Sequence, residues 1–286
     1  MKIIEIKSCP CCNNKNTNEI LKIDSNKKIE SFKIYSKKYY NGFLDNYNIS
    51  KIIISQCLIC KHLFYKYQPD KNFLIRMYDE HAKNKVKKKN LEKMFKFKMI
   101  LGHINKIKKI NKVLDYGSGY GEFKEICEKN NFQYYGFEPS KKRNKKNVYS
   151  KLEYIKKLKI KFDLIFLNQV LEHLPDPSAN LKEIKTLCHK NTMIYVSVPN
   201  FNRPKEKNNF YSSWPYDEKY GHHTLAPFQH LHCYNTMSLL KLMDYSGYEI
   251  KKDFKTFFYN NINLLRIFIG IYLKRLSTTD ILFKKK

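Results

Sequence analysis

Arginine is scarce in this sequence. Five residues (Arg76, Arg143, Arg203, Arg266 and Arg275) stand among 55 basic side chains, against 26 acidic ones. The planar guanidinium fork is the best reader of phosphates and base edges, so a formal charge of +29 carried almost wholly by lysine reads as solvated surface and disfavours a nucleic-acid partner. Long apolar runs are also missing. No stretch approaches the roughly 18–20 residues that cross a bilayer, and no apolar segment follows Met1-Lys2, so neither a spanning helix nor a secretory signal is expected and the location reads as cytoplasmic. Internal repeats are absent. Glycine is sparse too, nine residues in 286, so its bunching at positions 117, 119 and 121 is informative. With 42% apolar residues the chain can bury one large core and a small satellite domain.

The eight cysteines are unevenly placed. In a cytosolic chain they point to metal or buried thiol before disulfide. Cys9-Pro10-Cys11-Cys12 and Cys57-Leu58-Ile59-Cys60 each contain a Cys-x-x-Cys pair, and two such knuckles complete the tetrahedral sulfur set that zinc prefers, with bonds of about 2.3 Å. The expected ligands are Cys9, Cys12, Cys57 and Cys60. Cys11 could replace Cys12, and His62 could replace Cys60; redox and iron–sulfur roles stay open beside structural zinc. The strand-like runs Lys33-Ile34-Tyr35 and Ile52-Ile53-Ile54 predict a hairpin carrying the second knuckle. Cys127, Cys188 and Cys233 are isolated and read as packed or free thiols.

Residues 1–72 therefore read as a zinc-binding module. Residues 73–110 read as a helical bridge, with Leu91, Met94, Phe95, Ile100, Ile104 and Ile107 near helical spacing. From residue 111 to 255, short apolar strands (Val113-Leu114-Asp115, Tyr134 to Glu138, Phe162 to Leu167, Met193 to Val198) alternate with helical stretches. That pattern predicts an α/β fold, a mostly parallel Rossmann-like sheet flanked by helices. Residues 256–286 read as a helical tail. Its apolar stretch from Ile262 to Leu276 is broken by Arg266 and Lys274-Arg275, which permits shallow membrane contact but not insertion.

Val113-Leu114-Asp115-Tyr116-Gly117-Ser118-Gly119-Tyr120-Gly121-Glu122-Phe123 reads as strand, glycine turn and helix start. Glycines let backbone approach a ligand where a Cβ would collide, and the helix start offers unpaired amides. The spacing is Gly-x-Gly-x-Gly rather than the dinucleotide Gly-x-Gly-x-x-Gly. Glu138, closing the next strand, is placed to accept both hydroxyls of a ribose. Asp115 with the three glycines, then Glu138, then Phe162 to Leu174 in that order, resembles the class I S-adenosylmethionine-dependent methyltransferases over roughly residues 90–255. With its N-terminal zinc-binding module the chain resembles bacterial sugar and small-metabolite methyltransferases. The resemblance implies that Asp115, Tyr116, Gly117, Ser118, Gly119 and Gly121 cradle the methionine end of the cofactor and that Glu138 holds the ribose. By the same resemblance Leu152 and Glu153 meet the adenine, and Asn168 and Gln169 sit beside the sulfonium.

Histidines crowd one stretch: His222, His223, His230 and His232 lie within residues 201–234, with Phe201, Phe210, Tyr211, Trp214, Tyr216, Tyr220, Phe228 and Tyr234. So long and aromatic a segment reads as a lid over an acceptor. Gln229-His230-Leu231-His232-Cys233-Tyr234 resembles the Glu-His-x-x-x-Phe stretch of small-molecule members, with Gln229 replacing the acid. His230, matching that histidine, and His173, following the fourth strand, are the candidates for general base or acceptor contact. Metal binding by the four lid histidines is an open alternative. The expected reaction is methyl transfer to a small-molecule hydroxyl, of a sugar or nucleotide sugar in surface-polysaccharide or related synthesis. The rivals are an RNA methyltransferase gripping its substrate through zinc module and lysines, and a non-catalytic cofactor-binding scaffold.

Overall fold

The computed structural model describes residues 2–22, 25–45, 52–83, 90–140, 146–199, 216–217, 221–222, 226–251 and 278–286. The chain divides into two compact units. One comprises Met1–Lys85, Leu171–Asn180 and Val198–Ser246; the other comprises Val86–Val170, Leu181–Ser197 and Gly247–Lys286. This is not a linear division at residues 72, 110 and 255. The bridge is split, and the described end of residues 201–234 belongs with the N-terminal segment.

Along the chain run β1 (Ile3–Glu5), β2 (Thr17–Lys22), α1 (Ser25–Tyr40), β3 (Ile53–Cys57), β4 (Leu63–Tyr65), β5 (Tyr67–Pro69) and α2 (Lys71–Lys83). Then come α3 (Leu91–Ile107), β6 (Lys112–Tyr116), α4 (Glu122–Lys129), β7 (Gln133–Phe137), β8 (Val148–Tyr149), α5 (Leu152–Lys157), β9 (Phe162–Asn168), α6 (Pro177–Lys185) and β10 (Cys188–Pro199). The last elements are β11 (Tyr216–Asp217), β12 (Gly221–His222), β13 (His232–Cys233), a helix α7 (Thr236–Tyr245), β14 (Tyr248–Ile250) and β15 (Thr278–Lys285).

In the first unit the strands β13-β4-β3-β2 form an antiparallel sheet, and β1 pairs with β5. The hairpin that carries Cys57 and Cys60 is β3 with β4. Lys33-Ile34-Tyr35 is not its other strand: these residues lie inside α1, whose buried Phe32, Tyr35 and Tyr40 pack with Ile54, Leu63, Phe73, Met77, Phe228 and Leu231. Helix α7 is held at its start by a capping box between Asn235 and Ser238, which satisfies amides that the first turn leaves unpaired.

The second unit is built on a seven-stranded sheet ordered β14-β15-β10-β9-β6-β7-β8. The pairs among β10, β9, β6, β7 and β8 are parallel, and β14 pairs with β15 antiparallel. The α/β expectation is met, but the tail ends in a strand rather than a helix. Residues 262–276 and the aromatic residues 201–215 lie outside the described residues. Phe123 stacks over Phe166 at 3.8 Å and Phe166 over Tyr195 at 4.6 Å between ring centroids, with Phe97 edge-on to Phe123 and Phe166. Chain order reverses at β6: β7 and β8 follow on one side, β9 and β10 on the other. The ends of β6 and β9 thus flank a topological switch point, where open α/β sheets bind ligands. Among the described residues no helix is long and apolar enough to cross a membrane.

Candidate active site

The turn after β6 is shaped by three glycines with positive φ: Gly117 (81°), Gly119 (52°) and Gly121 (81°), the last serving as N-cap of α4. A Cβ on Gly117 would lie 2.7 Å from Val170 Cγ2, whereas one on Gly119 would meet nothing within 4 Å. The first glycine is therefore required by packing and the second borders open space. That space is an open cleft bordered by Asp115, Gly117, Gly119, Phe123 and Asn168, with Lys93 and Phe97 of α3.

Two buried carboxylates bracket the turn. Glu138 accepts hydrogen bonds from the amides of Gly119 at 2.8 Å and Ser140 at 3.1 Å. Asp115 accepts from the Tyr134 hydroxyl at 2.9 Å. Burial nevertheless pushes the Asp115 carboxyl up to about 7, with the Tyr134 hydroxyl opposing it. A buried acid of that kind, beside an open glycine cradle, suits a ligand that brings its own cationic group.

Asn168 ends β9 and borders the cleft. Gln169 follows with φ 57°, a left-handed conformation uncommon outside glycine, held by its amide on the Ser197 carbonyl at 2.8 Å. Leu152 and Glu153 open α5 rather than ending a strand. Leu152 is buried, Glu153 is exposed, and neither borders the cleft.

In the other unit, Cys9, Cys12, Cys57 and Cys60 place their four sulfurs within 4.8 Å of one another. Cys9 and Cys60 are 3.5 Å apart, Cys12 and Cys57 3.6 Å. Bonds of about 2.3 Å around a tetrahedral ion require sulfurs roughly 3.8 Å apart, so this set can hold one. Burial raises the Cys57 thiol, but the amides of Cys60 and Ile59 outweigh it and pull the thiol below its ordinary value. Cys11 and His62 are not in the cluster: the Cys11 amide points to Cys9 Sγ, and His62 Nε2 pairs with His232 Nδ1 at 3.2 Å.

The same unit brings His173 and His230 together, their ring centroids 4.8 Å apart. Gln229 supplies a backbone carbonyl to His173 Nδ1, and the Tyr78 hydroxyl donates to that carbonyl at 3.0 Å while lying 2.9 Å from the same Nδ1. A carbonyl only accepts, so Nδ1 carries a proton, and in the neutral imidazole the lone pair is on Nε2. Nε2 lies 3.7 Å from the buried carboxylate of Glu172, which burial pushes up to about 8. The Gln229 side chain accepts from Tyr40 at 3.0 Å and Tyr35 at 3.3 Å, a structural post where the resemblance has an acid. His232 serves the backbone, 2.8 Å from the Leu174 carbonyl, and its ring stacks on His62; His223 of the four lid histidines lies outside the described residues.

Residues 67–252 match the model of a methyltransferase-domain family. The chain belongs to that family. It is an S-adenosylmethionine-dependent methyltransferase. Solved structures share the fold: the plantazolicin methyltransferase BamL, in complex with a triazolic desmethylPZN analog and SAH, is 15% identical over 92% of this chain and 99% of its own, with a TM-score of 0.52. The plantazolicin methyltransferase BpumL, in complex with the same kind of analog and SAH, is 13% identical over 91% and 99%, also at 0.52. No curated protein sequence matches the chain significantly.

Several residues of this methyltransferase escaped the sequence. Lys93 and Phe97 come from a helix that precedes the glycine turn and read only as a bridge. Tyr78 is one tyrosine among 22 and meets His173 from 95 positions away. Glu172 sits beside His173 in the sequence, which was the available signal, but its burial without a hydrogen-bond partner for its carboxylate among the described residues is a tertiary fact.

Proposed function

We propose that this methyltransferase acts on a hydroxyl of a small-molecule acceptor, a sugar or nucleotide sugar in surface-polysaccharide or related metabolite synthesis, in the cytoplasm. When bound, S-adenosylmethionine supplies a methyl group on a sulfonium that is already its own leaving group. The protein's task is then alignment, worth about 7–11 kcal/mol, and help with the acceptor proton. Asp115, Tyr116, Gly117, Ser118, Gly119 and Gly121 are assigned to the amino-acid end of the cofactor and Glu138 to its ribose diol. Leu152 and Glu153 are assigned to the adenine, and Asn168 and Gln169 to the reacting centre. Cys9, Cys12, Cys57 and Cys60 hold a structural zinc that fastens the N-terminal strands.

The observation that carries the acceptor assignment is the pairing of His173 and His230, with the first fixed through Nδ1 by Gln229 and Tyr78 so that in the neutral ring Nε2 offers a lone pair. An imidazole in that state receives a hydroxyl proton or orients the hydroxyl. His173 also lies four and five positions after Gln169 and Asn168 in the sequence, on the segment that leaves the end of β9.

The test is a labelled-methyl transfer assay against a panel of nucleotide sugars, with RNA and protein pools alongside. Label in the sugar fraction, lost in His230→Ala, is expected. Label confined to RNA or protein overturns the acceptor assignment, and cofactor binding without transfer to any pool favours a scaffold.

A further inference from the structure

We propose that Glu172, His173 and His230 form a second metal site, distinct from the cysteine cluster, for a divalent first-row transition-metal ion. One ligand atom from each lies within 4.8 Å of the others. Glu172 is 1% exposed, and neither carboxylate oxygen has a hydrogen-bond partner among the described residues. Buried carboxylates are otherwise paired or bound to cations, so this one calls for a positive partner. His173 is oriented for such a partner. The Gln229 carbonyl holds Nδ1, Tyr78 braces that carbonyl, and Nε2 is turned toward Glu172 Oε1 at 3.7 Å. A carbonyl on the far nitrogen is how proteins aim a metal-ligating histidine. His230 is itself buried, and its segment is fastened to that of Glu172 by the Leu231 amide on the Glu172 carbonyl at 2.7 Å.

A carboxylate–imidazole hydrogen bond alone would use one oxygen and leave the other buried and unpaired. An ion uses both histidines and the charge together. Bonds of about 2.0–2.2 Å bring neighbouring ligands to roughly 3 Å, a contraction that side-chain rotation can supply. Two imidazoles and a carboxylate favour a borderline ion, whereas four thiolates select a softer setting, so the two clusters sort metals by chemistry. Three protein ligands also leave coordination positions open. An acceptor oxygen bound there would be acidified by the ion, which would take over from His173 Nε2, then a ligand, the help with the hydroxyl proton; that use rests on the acceptor reading, while the ion's binding does not.

The test uses the full chain with its thiolates filled by one equivalent of zinc, then titrated with cobalt(II). One further cobalt per chain is expected, with weak visible bands and no sulfur-to-cobalt charge transfer. Glu172→Gln and His230→Gln are each expected to lose it. Glu172→Gln keeps the side-chain shape, so its metal-free form should melt near the wild-type temperature, which separates lost binding from lost fold. No cobalt beyond the zinc-filled thiolates, or uptake unchanged in both variants, overturns the site whatever the acceptor proves to be.

Discussion

The carboxylate of Glu138 accepts the amide hydrogen of Gly119 at 2.8 Å, so the acid following β7 and the turn following β6 are fastened to each other directly. The two halves of the proposed cofactor cradle are therefore one mechanical piece. An aspartate at position 138 would have to shift the turn to keep that bond.

The glycines of this turn should separate by experiment. Gly117→Ala combines left-handed strain with a Cβ 2.7 Å from Val170, and should cost about 2–4 kcal/mol of stability. Gly119→Ala meets no atom within 4 Å and should cost only about 1–2 kcal/mol, while its methyl intrudes on the cleft and weakens cofactor binding about tenfold or more. Thermal melts with calorimetric titration check both. Equal melting losses would contradict the geometry.

Asp115 gives a pH signature. Its folded-state value of about 7 stands above the ordinary 3.8, because burial outweighs the Tyr134 hydrogen bond. The folded chain then holds the extra proton between about pH 4 and 7, so stability falls as pH rises through that window and levels off above it. Asp115→Asn should match the wild type near pH 4 and exceed it by on the order of 2–4 kcal/mol at pH 8, while binding cofactor more weakly. A stability difference independent of pH would contradict this.

Among the five clustered cysteines, one should be dispensable. Cys57→Ser is expected to lose zinc and the cooperative melting of the N-terminal sheet, since a structural zinc contributes folding free energy outright. Cys11→Ser should keep one zinc per chain. Metal analysis of the two purified variants checks this, and equal zinc loss in both would redraw the ligand set.

Under the proposed acceptor assignment Tyr78 acts as a positioning residue. Tyr78→Phe removes the hydroxyl that braces the Gln229 carbonyl and His173, and should lower kcat about 10- to 100-fold with KM for the cofactor unchanged. A matching rise in the cofactor KM would instead indicate a general structural defect.

The parallel strands were legible because each is a short apolar run bounded by turn residues, and β6, β7 and β9 fall within a residue or two of where the pattern puts them. The glycine turn was legible because φ and close approach restrict the residue type. A tripeptide such as Lys33-Ile34-Tyr35 carries no period, and its helical state follows from Phe32, Tyr35 and Tyr40 burying one face of α1 together. Likewise β15 is a strand because it pairs with β14, a partner 28 or more positions earlier that local composition does not reveal. The partnership of Glu172, His173, His230 and Tyr78 joins three distant segments, so only its adjacent pair could be seen in the sequence.

Calorimetric titration of S-adenosylhomocysteine into the wild type and into Glu138→Ala bears most directly on the account. Saturable binding is predicted for the wild type, weakened about 10- to 100-fold in the variant, as expected for loss of charge-assisted hydrogen bonds. Equal affinity in both proteins, or no binding by a folded wild type, would contradict it.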